Sequence, residues 1–243
     1  RFMDVAVLPY MEDAAQKTRA QDELPQSAGG RTITTTEPKF IPQEAVELKL
    51  AGEVTIRVRL VDCVGFMVEG AAGHLEDGAE RLVKTPWYDH EIPFTQAAEL
   101  GTRKVITDHS TIGVVVTTDG SFSDLPQETY LDAENQAISE LKKLHKPFLV
   151  LVNSSHPSSR TAREAAERIE KQHSVAAMPV NCAQLSEEDI RQIMEQILYE
   201  FPVSRVEFYM PKWVEMLPFS HPLKTGLIEK IRELTGKIRT IRD

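Results

Sequence analysis

Apolar residues form three short continuous runs in the middle of the chain, at positions 112–117, 148–152 and 175–180. Runs of this length, rich in β-branched residues, predict strands buried on both faces. Between and after them the apolar period changes to three or four. Tyr130, Ala137, Leu141 and Leu144 share a stripe with Leu131 and Ile138, and Ile190, Ile193, Met194, Ile197 and Leu198 make another. These stripes, with similar patterns nearby, predict helices over 95–108, 127–144, 161–173 and 187–199, and Ser186 with Asp189 predicts a capping box on the last. Strands alternating with helices define an α/β fold with a mostly parallel sheet and helices on both faces. In such a sheet, functional loops lie beyond the C-terminal ends of the strands.

The flanks read differently. Residues 16–38 carry no hydrophobic period and predict a long surface loop. Runs 44–50 and 54–61, joined by Ala51-Gly52-Glu53, predict an antiparallel hairpin. Residues 66–93 contain Gly70, Gly73, Gly78, Pro86 and Pro93 and predict an irregular connection of 28 residues, a length that is usually functional or mobile. After Phe201-Pro202 the alternation stops. A strand is expected at 204–209, and Leu227, Ile231, Leu234, Ile238 and Ile241 form a heptad seam on a last helix. The organisation is therefore one α/β domain over 1–200 and the beginning of a second α+β module over 201–243.

Composition narrows the function classes. The 243 residues include 28 Lys+Arg and 37 Asp+Glu, a net charge of −9, with 41% hydrophobic and 27% charged residues, as in ordinary globular domains. Net acidity argues against general nucleic-acid binding. The last 22 residues reverse the sign, with 6 Lys/Arg against 3 Asp/Glu. No apolar run approaches the roughly 20 residues of a membrane-spanning helix. Cys63 and Cys182 fall in stretches that read as buried strands, which disfavours a disulfide framework and favours a reducing compartment. The chain opens on Arg1 inside an apparent helix, without Met or cap.

Three features carry candidate chemistry. Asp62, ending a hydrophobic strand and followed by Gly65, suits a nucleotide phosphate site: the carboxylate would hold Mg²⁺ through water, and a glycine lets its N–H approach a γ-phosphate. Alone, Asp-x-x-Gly is equally a strand-end turn. Thr34-Thr35-Thr36 ends the polar loop 26 residues earlier, and a hydroxyl there can complete a metal shell or position water; by itself it reads as strand-edge β-propensity. Asn153, opening Asn153-Ser154-Ser155-His156 after an apolar strand, stands where nucleotide-binding sheets present base-reading residues, and is also a common turn former. Taken in order, the three favour a nucleotide site. Against it, no Gly-x-x-x-x-Gly-Lys-Ser/Thr occurs, and Gly29-Gly30-Arg31-Thr32 neither follows a strand nor opens a helix. The seven histidines lack metal-ligand spacing and no Gly-x-Ser-x-Gly elbow is present. Trp87-Tyr88, Trp213 and Phe219 are assigned no chemistry.

Several strings are more specific: Arg19-Ala-Gln-Asp-Glu-Leu-Pro-Gln-Ser-Ala28, Thr35-Thr-Glu-Pro-Lys-Phe40, Arg59-Leu-Val-Asp-Cys-Val-Gly65 and Thr85-Pro-Trp-Tyr88, then Ala98-Glu-Leu-Gly-Thr-Arg-Lys-Val-Ile106, His109-Ser-Thr-Ile-Gly-Val-Val115 and Tyr199-Glu-Phe-Pro-Val203. Through them the whole chain resembles the stage IV sporulation protein A family, the spore-coat morphogenetic ATPases of endospore-forming Firmicutes. The resemblance implies a P-loop NTPase-like domain, similar to translation-factor-class GTPases but switched to ATP and Mg²⁺. It implies that hydrolysis drives self-assembly into the basement layer of the coat, in the mother-cell cytoplasm at the forespore outer membrane.

By position, Asp62 corresponds to the Walker B aspartate, and Thr35 and Thr36 to the threonines that sense the γ-phosphate. Asp62 and Thr35 would serve the metal, and Gly65, Asn153 and Ser154 the nucleotide. The family's phosphate-loop lysine has no counterpart, and the chain is expected to start just after that loop. The implied partners are other copies of the protein, a small amphipathic forespore-membrane peptide and a coat-encasement protein, the last two engaging mainly regions absent here. His156 stands where guanine-selecting Asn-Lys-x-Asp would place its Asp, so guanine is not favoured, and Phe66 replaces the water-orienting Gln of many GTPases. Two rivals stay open: a scaffold with a degenerate, non-hydrolysing site, and a GTPase-like switch with another cargo.

Overall fold

The computed structural model describes residues 2–11, 14–22, 24, 39–49, 55–71, 73–76, 78–122 and 124–243. A wide helical turn (Met3–Val7) and a 3₁₀ turn (Leu8–Tyr10) lead to α1 (Ala14–Asp22), then to the antiparallel pair β1 (Lys39–Lys49) and β2 (Thr55–Asp62). The hairpin expected at 44–61 is present, with β1 reaching back to Lys39. Its connecting turn lies outside the described residues.

Residues 16–22, expected in a loop, are instead helical. Helix α1 is built from good helix formers (Ala, Gln, Lys, Arg) and buries Ala20 rather than an apolar stripe, so no period announces it.

The centre is the parallel sheet formed by β7 (Gly113–Thr118), β8 (Phe148–Asn153) and β9 (Ala177–Val180), in that spatial order. Alternate residues of β8 serve two cores. Phe148, Val150 and Val152 pack with Val115, Phe66, Ile106 and Ile138 and Leu141 of α3 (Leu131–Lys143), and with Ala165, Ala166 and Ile169 of α4 (Arg160–His173). Leu149 and Leu151 pack on the other face with Ile190, Ile193, Met194 and Ile197 of α5 (Glu187–Tyr199) and with Val58 of β2. Helices cover both faces of the sheet as the pattern predicts. Coverage is incomplete at β7, where Val114 and Val116 are 45% and 57% exposed.

The predicted cap forms: Ser186 and Asp189 exchange backbone and side-chain hydrogen bonds at the start of α5. A cap not foreseen from the sequence opens α4, where Ser159 Oγ accepts from Ala162 N. Gly113 opens β7 under α3, where an added Cβ would meet Leu141 Cδ2 at 2.7 Å and Phe148 Cβ at 3.0 Å. Gly113→Ala is expected to lower stability by about 1–3 kcal/mol through overpacking, read from urea unfolding; an unchanged midpoint would show that the layer yields freely.

Residues 66–93 are more ordered than expected. Two small antiparallel pairs, β3 (Leu75–Glu76) with β4 (Ala79–Glu80) and β5 (Leu82–Val83) with β6 (Ile92–Pro93), lead into α2 (Phe94–Lys104). Pairs this short leave no alternation to read in sequence. They grip the start of α2: Phe94 N donates to Arg81 O, the Arg81 guanidinium lies 4.3 Å from the Phe94 ring centroid, and Glu80 accepts from Thr95. Trp87 is half-buried with Lys104 Nζ 5.8 Å from its ring.

Beyond α5 the chain contains α6 (Lys212–Glu215) and α7 (Pro222–Thr235). The strand expected at 204–209 is not formed, since no segment among the described residues hydrogen-bonds along it. The heptad seam is also cut short. Helix α7 ends at Thr235, and Ile238 and Ile241 lie past Gly236, in a segment that folds back on the end of α5 through Ile241 N to Phe201 O and Arg242 to Glu200. Buried Lys224 donates to Glu215 O at 2.7 Å and Leu217 O at 2.9 Å, joining α7 to α6.

Candidate nucleotide site

Asp62 is the last residue of β2, paired in register with Lys39 and exposed. The hairpin end that carries it is docked through Phe40, whose ring meets His109 edge-on at 5.2 Å while Arg59 lies 4.9 Å from the Phe40 centroid. Three residues on, Gly65 adopts φ +88°, a left-handed conformation that side-chain-bearing residues rarely take, and the space where a Cβ would stand is open. Phe66 then turns inward and is buried with Val115, Val150 and Val152. The residue in the water-orienting position is therefore an anchor, fastening the Asp-x-x-Gly turn to the sheet that carries Asn153.

Cys63 and Cys182 are free, half-buried and just beyond strand ends rather than within strands. Burial pushes the Cys63 thiol above its ordinary value against hydrogen bonds with Thr102 and Gly65, and burial likewise raises Cys182. Neither thiol is primed as a nucleophile at neutral pH.

At the ends of β7, β8 and β9 a second set of polar groups converges. Asn153 Oδ1 accepts from Cys182 N at 2.9 Å, tying β8 to the loop after β9. Ser154 is fully buried; its hydroxyl donates to Asp119 Oδ2 at 2.6 Å and accepts from His156 N at 3.1 Å. Asp119 Oδ1 accepts from Ser121 N and Ser121 Oγ, and Ser121 Oγ in turn accepts from Ser155 N at 2.8 Å. Partial burial pushes the Asp119 carboxyl up, but the hydrogen bonds from Ser121 and Ser154 outweigh it and hold it below the ordinary carboxylate value. Asn181 completes the rim, its Oδ1 accepting from Ala183 N and Gln184 N and its Nδ2 reaching Ser155 O at 3.4 Å.

The structure thus brings Asn153 and Ser154 together with Asp119, Ser121 and Asn181, which the sequence reading passed over. The available signal was position alone: Asp119-Gly120 and Asn181 each follow an apolar strand directly. Ser154 spends its hydroxyl on Asp119 and shapes the loop from beneath. Thr35 and Thr36 lie outside the described residues, as does Gly29-Gly30-Arg31-Thr32.

The exposed Asp62 carboxylate and the open space before Gly65 fit the metal and terminal phosphate of a Mg²⁺–nucleotide. Among the described residues no three His, Cys, Asp or Glu converge as a protein-made metal site. Phosphate-bound Mg²⁺ needs only one or two carboxylates, since the nucleotide and water supply the remaining oxygens. No helix among the described residues is long and apolar enough to cross a membrane.

A parallel sheet covered by helices, with an Asp-x-x-Gly turn beside it and a polar platform at its C-terminal edge, defines an α/β protein with its ligand edge at the strand ends. The match to an ATPase-domain family makes it P-loop NTPase-like. Comparison with known families makes this specific. Residues 1–202 match the family model described as stage IV sporulation protein A, ATPase domain, and residues 203–243 match the middle domain of the same family. Stage IV sporulation protein A of Clostridioides difficile (strain 630) is 44% identical over 243 residues, all of this chain and 50% of that protein. The Bacillus subtilis (strain 168) and Bacillus anthracis proteins of the same name are each 41% identical over the whole chain and 49% of their own length. The chain belongs to the stage IV sporulation protein A family, and it spans about half the length of the curated relatives it matches.

Proposed function

We propose that this chain supplies catalytic residues of an ATP-hydrolysing morphogenetic protein. In this reading, turnover drives self-assembly into the basement layer of the spore coat, in the mother-cell cytoplasm at the forespore surface. The observation that carries the enzymatic half is the Asp62–Gly65 turn: an exposed carboxylate and a left-handed glycine with open space beside it, anchored by Phe66 to the sheet that bears the Asn153 platform. The family's ATPase domain supports the assignment.

Bound Mg²⁺–ATP would supply the phosphoryl group and the charge neutralisation for its transfer to water. Asp62 would orient the metal's water ligands, and Gly65 would offer its N–H to the terminal phosphate. Thr35 and Thr36 would hold the metal and the attacking water. Asn153 keeps the base-side loops in place, with Ser154 and Asp119 fixing the turn that ends in His156. Because His156 stands where the carboxylate that pairs with guanine would be, guanine is not favoured. The family-implied partners, a small amphipathic membrane-binding peptide and a coat-encasement protein, belong to the same proposal.

In the full-length protein, the double variant Thr35→Ala/Thr36→Ala is expected to turn over ATP about 10–100-fold more slowly while still binding it, the scale of a misplaced reacting water. Phosphate release and equilibrium nucleotide binding check this together. Unchanged turnover would sink the assignment.

A further inference from the structure

The Gly65 N–H, the group that would meet a terminal phosphate, is already engaged. It donates to Thr102 Oγ1 at 3.0 Å, and the same hydroxyl lies 3.1 Å from Gly65 O, to which it donates in return. Thr102 is in α2 and is only 4% exposed. One buried hydroxyl therefore closes the Gly65 end of the turn onto the helix.

The remainder of α2 is held from the other end. Past Lys104 the helix continues as a wide turn (Val105–His109), and the Lys146 ammonium donates to the carbonyls of Ile106 and Thr107 there and of Ser110 just beyond it. The helix is thus pinned near residue 106 and fastened near residue 102. An N–H carries one proton and makes one good hydrogen bond, so Gly65 can serve Thr102 or a phosphate oxygen, not both.

We propose that Thr102 is the positioning residue that couples the terminal phosphate to α2: its hydroxyl occupies the Gly65 N–H that a γ-phosphate oxygen must take, so triphosphate binding releases α2 and diphosphate binding leaves it fastened. The inference rests on the nucleotide-site reading above. Because only a γ-phosphate competes for this N–H, the latch lowers the affinity for ATP relative to ADP by about the worth of one hydrogen bond, a factor of about two to ten.

The test compares wild type, Thr102→Val and Thr102→Ser in the full-length protein, titrated with ATP, ADP and a non-hydrolysable ATP analogue, and followed by hydrogen exchange at the Gly65 amide without nucleotide. Val keeps the shape and removes the hydroxyl. It is expected to raise the ATP-over-ADP affinity ratio about two- to tenfold and to speed Gly65 exchange, while Ser restores both. A residue with only a packing role would shift ATP and ADP equally. Wild type that binds ATP, with a ratio unmoved in Thr102→Val, overturns the latch alone. Wild type that binds no nucleotide overturns the latch together with the site reading beneath it.

Discussion

Asp62→Asn in the full-length protein is expected to lower ATP turnover by about 10²–10³-fold, the scale of removing one electrostatic group aimed at charge that develops in the transition state. The substitution preserves size and shape, removes the negative charge and exchanges one acceptor oxygen for an amide donor. Asp62 is exposed at the end of β2, held in register opposite Lys39, so the fold does not depend on its burial. Circular dichroism should therefore match wild type, and ATP should still bind. Single-turnover phosphate release measures the effect directly, and excess Mg²⁺ should not restore the rate if the carboxylate orients the metal as well as attracting it. Turnover within twofold of wild type would remove Asp62 from the mechanism and leave the scaffold reading ahead.

The second large effect concerns stability. Arg168 of α4 forms a two-pronged ion pair with Glu134 of α3, Nη1 to Oε1 at 2.9 Å and Nη2 to Oε2 at 3.1 Å. The Glu134 side chain is 1% exposed and that of Arg168 is 30% exposed. Glu134 occupies a core-facing place one turn before Ile138, so removing its partner strands a buried carboxylate. Arg168→Ala is expected to cost about 3–5 kcal/mol, near the lower figure because the arginine side of the pair is partly open to water. Replacing both residues with apolar ones of similar volume should recover most of that loss, since the penalty lies in the orphaned charge. Urea unfolding of the two variants separates these outcomes. A loss below about 1 kcal/mol for Arg168→Ala would mean that water reaches Glu134 without resistance.

Much of the α/β domain was legible from apolar period. The three strands of the sheet and helices α2 to α5 occur within a few residues of their predicted limits, because buried strands leave continuous runs and surface helices leave stripes. Elements stabilised by something other than an apolar period escaped notice. Helix α1 buries a single alanine, β3 to β6 are two residues long, and α6 is one turn. The opposite error arose in 204–209 and 236–241, where the apolar pattern is present but a strand partner or continued helix is not. Hydrophobic spacing records which residues want burial, and cannot supply the neighbour that buries them.

The site divides the same way. Sequence alone singled out Asp62, Gly65 and Asn153 as candidates, since strand-end position and residue type limit what they can do. The string that holds Asp62 and Gly65 is among those that carried the resemblance to the family whose model matches the chain. Tertiary structure alone showed that Thr102, 37 residues from Gly65, closes on its N–H, and that Asp119, 35 residues from Ser154, takes its hydroxyl. Local sequence encodes propensity and burial preference. Which donor meets which acceptor depends on how distant segments cross in space, and that was decided only when Phe66 and β8 were packed into one core.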